Sequence, residues 1–192
     1  SRLSRGLGDV YKRQELTPGG RFICLNFGID EKGRYLGHTG GQSMFDNFTR
    51  HWRAMRDEGR ITKQEFIRAT FAQHYRTVEE FTAPFDDSSS AVSQAGLKLI
   101  SVETRLTPCP YNALYREAST KMSSADYAAS LIPTTRSWSE TVFRTALASR
   151  PKAEIQALLD AFYDDYEQQV AADPSGHAMD YIHILMAIEK QA

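Results

Sequence analysis

The sequence predicts an α/β fold, and three observations carry that expectation. Pro18, Gly19 and Gly20 mark a tight turn directly ahead of Phe22-Ile23-Cys24-Leu25, a near-continuous apolar run of the kind a parallel strand buried on both faces requires. Residues 43–58 and 152–170 carry apolar side chains at helical spacing. Near the end, Asp180 to Glu189 is a run rich in β-formers. The order is strand, several helices, strand, helices, strand. So few strands for so much helix is the expectation for the remainder of an α/β fold whose first strands are absent.

Each element has a local cause. The first strand, residues 21–28, leads into a Gly-rich polar connection, 28–42, that reads as a surface loop. Met44, Phe48, Trp52 and Met55 then share one helical face, and Gly59 stops that helix. Thr62 with Glu65 three residues on is a capping-box spacing leading to Phe66, and Thr77 with Glu80 is another. Between Thr77 and Ala95, Pro84 and the polar tract 86–90 predict two short helices rather than one.

Residues 97–103 are expected to form a strand in which Ile100 and Val102 break strict alternation. Pro108 and Pro110 make 107–111 a rigid connection. A helical region over about 123–149 is expected to break near Pro133. Residues 152–170 place Ile155, Leu158, Leu159, Phe162, Tyr166 and Val170 on one face. Asp173 to Gly176 is a turn, and 180–189 closes the chain as a strand.

Composition narrows the functional classes. The 192 residues are 41% hydrophobic and 11% aromatic, enough for a globular core. Lys and Arg total 23 against 24 Asp and Glu, a net charge of -1, so neither nucleic acid nor an anionic membrane is an expected partner. Two cysteines, Cys24 and Cys109, offer no disulfide framework and fit a reducing cytoplasm. No apolar run reaches the roughly 18 to 20 residues that span a bilayer. Five histidines show no metal-ligand spacing, and the Asp164-Asp165 pair reads as helix surface.

Residues 1–14, SRLSRGLGDVYKRQ, stand apart. They resemble the adaptor-like tail that recurs at the ends of reading frames assembled from environmental DNA, and are expected to be a non-native leader. The alternative is a frayed helix carrying Leu3, Leu7 and Val10, weakened by Gly6 and Gly8 at about 1 kcal/mol each.

The stretch Glu15-Leu-Thr-Pro-Gly-Gly-Arg-Phe-Ile-Cys-Leu25 resembles the segment entering the fifth strand of S-adenosylmethionine-dependent methyltransferases. With Arg56-Asp-Glu-Gly-Arg-Ile61, Tyr75-Arg-Thr-Val-Glu-Glu-Phe81, Ala83-Pro-Phe85, Ala95-Gly-Leu97 and Ala178-Met-Asp-Tyr-Ile-His183, the chain is similar over nearly all of 15–191 to one family. That family is the bacterial branch of SABATH small-molecule carboxyl methyltransferases, in its C-terminal half. The resemblance implies the last strands of a Rossmann-like sheet, with helical substrate-cap segments at about 43–95 and 112–150.

It also implies methyl transfer from S-adenosylmethionine to the carboxylate of a small-molecule acid, some members methylating ring nitrogens instead. A carboxylate is ionised at neutral pH and needs alignment more than a base, so no catalytic residue is expected. The cofactor site and carboxylate grip belong to strands upstream of Glu15, so this piece alone is expected to be inactive. By the same matches Met44, Phe45, Tyr75, Trp138 and Tyr181 would line the acid's pocket. Plant members carry Phe-Asn, linked to magnesium, where this chain has Thr70-Phe71, so no metal is expected. A homodimer is common in the family. Against all this stands a reading from residue types alone: a non-catalytic helical binding or interaction protein, its aromatic residues forming a ligand or partner pocket.

Overall fold

The computed structural model describes residues 16–38, 43–117 and 121–191; the leader assigned to 1–14 lies outside them. The chain is a mixed α/β protein of two compact units. One holds the described residues up to Leu36, His74–Thr107 and those from Tyr181 onward; the other holds Gly37–Gln73 and Pro108–Asp180. Of the segments expected to form a substrate cap, 43–73 and 112–150 belong to the second unit, while 74–95 belongs with the sheet.

The sheet unit has three strands, β1 (Arg21–Phe27), β2 (Leu97–Thr107) and β3 (Tyr181–Lys190), in the order β1-β3-β2. β3 is antiparallel to both neighbours, so β1 and β2 run parallel to each other. Two short helices, α3 (Val78–Asp86) and α4 (Ala91–Gln94), pack against one face of this sheet. Their Val78, Phe81, Phe85 and Val92 cover Leu97, Ile184, Met186 and Ile188. The predicted pair of helices is present, although the first continues through Pro84 to Asp86.

Two expectations for β1 are corrected. It pairs antiparallel with β3, and it is not buried on both faces: Ile23, Leu25 and Phe27 are 66%, 58% and 44% exposed, while Phe22, Cys24 and Asn26 are half-buried. An apolar run shows that a strand could bury both sides; whether the second side is covered depends on layers the run itself does not specify. In β2, Leu99 pairs with Ile188 and Ser101 with Ala187, so Ile100 is the extra residue of a β-bulge. That bulge is the physical cause of the broken alternation. The Gly-rich connection is not wholly a surface loop either. Leu36 and Asp30 are buried, Asp30 accepting hydrogen bonds from the backbone N–H groups of Lys32 and Arg34 at 3.0 and 2.9 Å.

The helical unit contains α1 (Met44–Asp57), α2 (Lys63–Arg68), α5 (Pro110–Arg116), α6 (Ser124–Ala146), α7 (Lys152–Ala172) and a 3₁₀ turn, Pro174–Gly176. Ser43 caps α1, whose buried face includes the predicted Met44, Phe48, Trp52 and Met55. Thr62 and Glu65 form the expected capping box on α2. α6 is the second correction to helix layout: it runs unbroken past Pro133. Proline removes one N–H and crowds the carbonyl four residues back. Here Pro133 and Ala129 are both exposed, which leaves the freed carbonyl open to water, and Leu131, Ile132 and Thr135 hold the buried side. α6 packs on α7 through Phe143, Phe162 and Tyr163, with a 2.7 Å hydrogen bond between Ser139 Oγ and the Tyr163 hydroxyl.

Candidate functional site

In the sheet unit the carboxyl ends of β1 and β2 and the start of β3 meet at one end of the sheet. Phe27 is registered with His183, and Thr107 with Tyr181. The Tyr181 ring stacks on Phe27 at 5.6 Å and on His183 at 5.8 Å, and His183 Nδ1 lies 3.1 Å from the Thr107 hydroxyl. Just beyond Phe27 the chain turns at Gly28, which forms a parallel bridge with Arg76, and the Ile29 N–H donates to the Arg76 carbonyl at 2.8 Å. That bridge fixes Tyr75 at the same end, its ring stacked on Tyr35 at 5.6 Å. Burial, helped by Tyr35, pushes the Tyr75 hydroxyl up to about 12, so it stays a protonated donor at neutral pH.

In the helical unit α1 and α6 bring Phe45 and Trp138 together at 6.3 Å. Phe48 and Phe71 complete the cluster: Phe71 lies 5.6 Å from Phe45, 5.4 Å from Phe48 and 6.1 Å from Trp138. Phe45, Phe71 and Trp138 are half-buried and Phe48 is 1% exposed, so those three are the rings that can meet another molecule. Met44 has a different place. It is 4% exposed among Leu131, Thr135, Tyr166 and His177, with no open volume between them. Phe71 escaped sequence reading because it lies outside any helix or strand, where periodicity gives no signal.

The same unit holds a buried polar cluster that spacing did not reveal. His177, 2% exposed, has the side-chain amides of Asn47 and Gln169 at 3.3 and 3.4 Å from its two ring nitrogens. Gln169 Oε1 lies 2.5 Å from His51 Nε2, Arg50 donates to Asn47 Oδ1, and the Tyr127 hydroxyl donates to the His177 carbonyl. Burial lowers the pKa of both histidines. Around His177 the nearby Asp173 opposes that shift, while Arg50 and His51 reinforce it. The ring is therefore held neutral by its surroundings.

Among the described residues, the glycine and the acidic residue that follow β1 do not form a cradle for S-adenosylmethionine. The glycine that follows β1, Gly28, is filled against by its own unit: an added Cβ would meet Ile184 Cδ1 at 2.3 Å and the Arg76 carbonyl at 3.0 Å. Asp30 beyond it is committed to Arg34 through a 2.7 Å ion pair, not to a ribose. Among the described residues no group of three His, Cys, Asp or Glu side chains could hold a metal ion, and no helix is long and apolar enough to cross a membrane. No protein-family model matches the chain, and no curated protein matches it.

Proposed function

We propose that residues 15–191 are the closing part of a Rossmann-like, S-adenosylmethionine-dependent methyltransferase acting on the carboxylate of a small-molecule acid. The observation that carries this reading is the sheet. Two parallel strands with an antiparallel strand between them, and an exposed apolar face on β1, suit the last strands of a larger α/β sheet. Ligands of such sheets bind beyond the carboxyl ends of the parallel strands. Tyr75 and Tyr181 sit at that end in the sheet unit, which supports their role toward the substrate.

Phe45 and Trp138 supply an apolar, partly open ring pair for the body of the acid, and Met44 backs α1 from the buried side. By the resemblance, the cofactor belongs to residues upstream of Glu15. Isothermal titration of S-adenosylmethionine tests this division. The expected result is no heat with the 192-residue chain and saturable heat with a polypeptide extended upstream of Glu15. Binding by the 192-residue chain alone would contradict it.

A further inference from the structure

In the helical unit Arg50, Asn47, His177, Gln169 and His51 touch one another in that order. Arg50 donates to Asn47 Oδ1, and the amide nitrogens of Asn47 and Gln169 lie 3.3 and 3.4 Å from His177 Nδ1 and Nε2. The other end of the Gln169 amide, Oε1, lies 2.5 Å from His51 Nε2. A direct approach of Gln169 to Asn47, at 3.5 Å, is too long to add a link of comparable strength. Donor and acceptor counting gives this chain a direction. A guanidinium only donates, so Asn47 accepts from Arg50 with Oδ1 and turns its N–H groups inward, to His177 Nδ1 and the Tyr166 hydroxyl. The neutral His177 ring has one bare nitrogen and one N–H; Nδ1 is the bare one, so Nε2–H needs an acceptor. Gln169 meets that need by a half-turn of its amide, which exchanges Oε1 and Nε2 in place and points an N–H at His51. His51 Nε2 then closes the chain as a lone pair, which puts the His51 proton on Nδ1.

We propose that these five side chains form a one-way hydrogen-bond relay that acts as a proton-sensitive latch between α1 and α7, complete only while His51 is neutral. A protonated His51 donates from Nε2, so both ends of the chain donate and somewhere along it two N–H groups meet. Asn47 and His177 are 3% and 2% exposed, whereas Arg50 is exposed, so the loss falls where water replaces the partner, at Arg50. The chain reverses: Gln169 Oε1 accepts from His51, its N–H donates to His177 Nε2, and the His177 proton passes from Nε2 to Nδ1 to meet Asn47 Oδ1. Arg50 is released, and the net uptake is the one proton on His51. The Tyr166 hydroxyl follows by donating where it accepted. Charges facing His51 are Arg50 on α1 and Asp165 on α7, the latter also 3.6 Å from Arg60; those facing His177 are Arg50, His51 and Asp173. Tyr127 and Asn112 bond the His177 carbonyl, not its ring. α1 also carries half-buried Phe45, so the latch acts on the helix that presents a ring of the candidate site. The relay does not rest on methyl transfer.

Long-range proton–nitrogen correlation of the histidine rings in the full 192-residue chain reads the proton positions directly. At pH 8 the expected result is a proton on Nδ1 of His51 and on Nε2 of His177. As pH falls, the His177 proton is expected to cross to Nδ1 with the same midpoint as His51 protonation. Arg50→Gln replaces the obligate donor by an amide that gives or takes, at an exposed position where the fold is expected to tolerate it. In that variant His51 is expected to titrate at higher pH and His177 to stop following it. Loss of the Arg50 charge alone raises the His51 midpoint but does not uncouple the two rings. The proposal is overturned if His51 carries its proton on Nε2 at pH 8, or if His177 keeps its tautomer while His51 titrates. It is also overturned if Arg50→Gln leaves the two rings coupled. Should Arg50→Gln fail to fold, the proton positions in the unaltered chain still decide.

Discussion

Arg150 grips Glu65 with two hydrogen bonds, Nε to Oε1 at 2.6 Å and Nη2 to Oε2 at 2.7 Å, and so ties the start of α2 to the turn before α7. The same carboxylate closes the α2 capping box by accepting from the Thr62 N–H at 2.7 Å. The Arg150 bonds are the main reason its pKa falls from 4.5 to about 2, burial opposing them. Glu65 is 6% exposed, so Glu65→Gln removes the buried partner of Arg150 and leaves it only the more exposed Glu154, which is expected to cost about 2 kcal/mol in urea unfolding. The folded-state pKa is depressed, so this contribution is fully present above about pH 4.5 and is lost as pH falls toward 2. An unchanged urea midpoint in Glu65→Gln at neutral pH would show that the pair contributes nothing net.

A second acid-sensitive window lies higher. His177 and His51 have folded-state pKa values below 6.5, chiefly through burial, so the folded chain binds fewer protons than the unfolded one there. Stability is therefore whole above about pH 6.5 and declines as pH falls below it. Urea midpoints measured from pH 7.5 to 5 are expected to drop, and His177→Gln to flatten the decline. A flat profile in the unaltered chain would contradict the buried neutral ring.

Core and pocket roles separate within the aromatic cluster. Phe48 touches Phe71, Phe143, Phe162 and Tyr166 and is 1% exposed, so Phe48→Ala is expected to cost about 3 to 5 kcal/mol. Half-buried Trp138 is expected to lose less than about 2 kcal/mol as Trp138→Leu and, if the proposed methyl transfer holds, to raise KM for the acid in a polypeptide extended upstream of Glu15. Equal destabilisation by both substitutions, with KM unmoved, would make Trp138 a core residue only.

The open face of β1 places Ile23, Leu25 and Phe27 in solvent, with Leu25 registered against Leu185. Such a face favours association. The chain is expected to self-associate with rising concentration in sedimentation, and Leu25→Lys to reduce that association without lowering the unfolding free energy by more than about 1 kcal/mol. A monomer at all concentrations would argue that the face is covered in solution.

What could be read from the sequence follows from the range of each signal. Capping at Thr62 and Thr77, the stop at Gly59 and the buried stripe of α7 depend on residues three or four apart, and all are present. Sheet order was not legible, because β3 reaches β1 from more than 150 positions away and nothing near Arg21 encodes its direction. Pro133 misled because its effect depends on which side of α6 faces solvent, a tertiary fact. Phe45 and Trp138 were linked through resemblance, whereas Phe71, which completes their cluster, and the His177 network depend on contacts no spacing records.

The most direct measurement is methyl transfer by a polypeptide extended upstream of Glu15, using S-adenosylmethionine labelled in its methyl group and a panel of small carboxylic acids. A carboxyl methyltransferase yields label in a methyl ester, released by mild base. The expected result is base-labile label on at least one acid. A folded polypeptide that binds the cofactor yet labels no acid, or yields only base-stable label, would contradict carboxyl methylation.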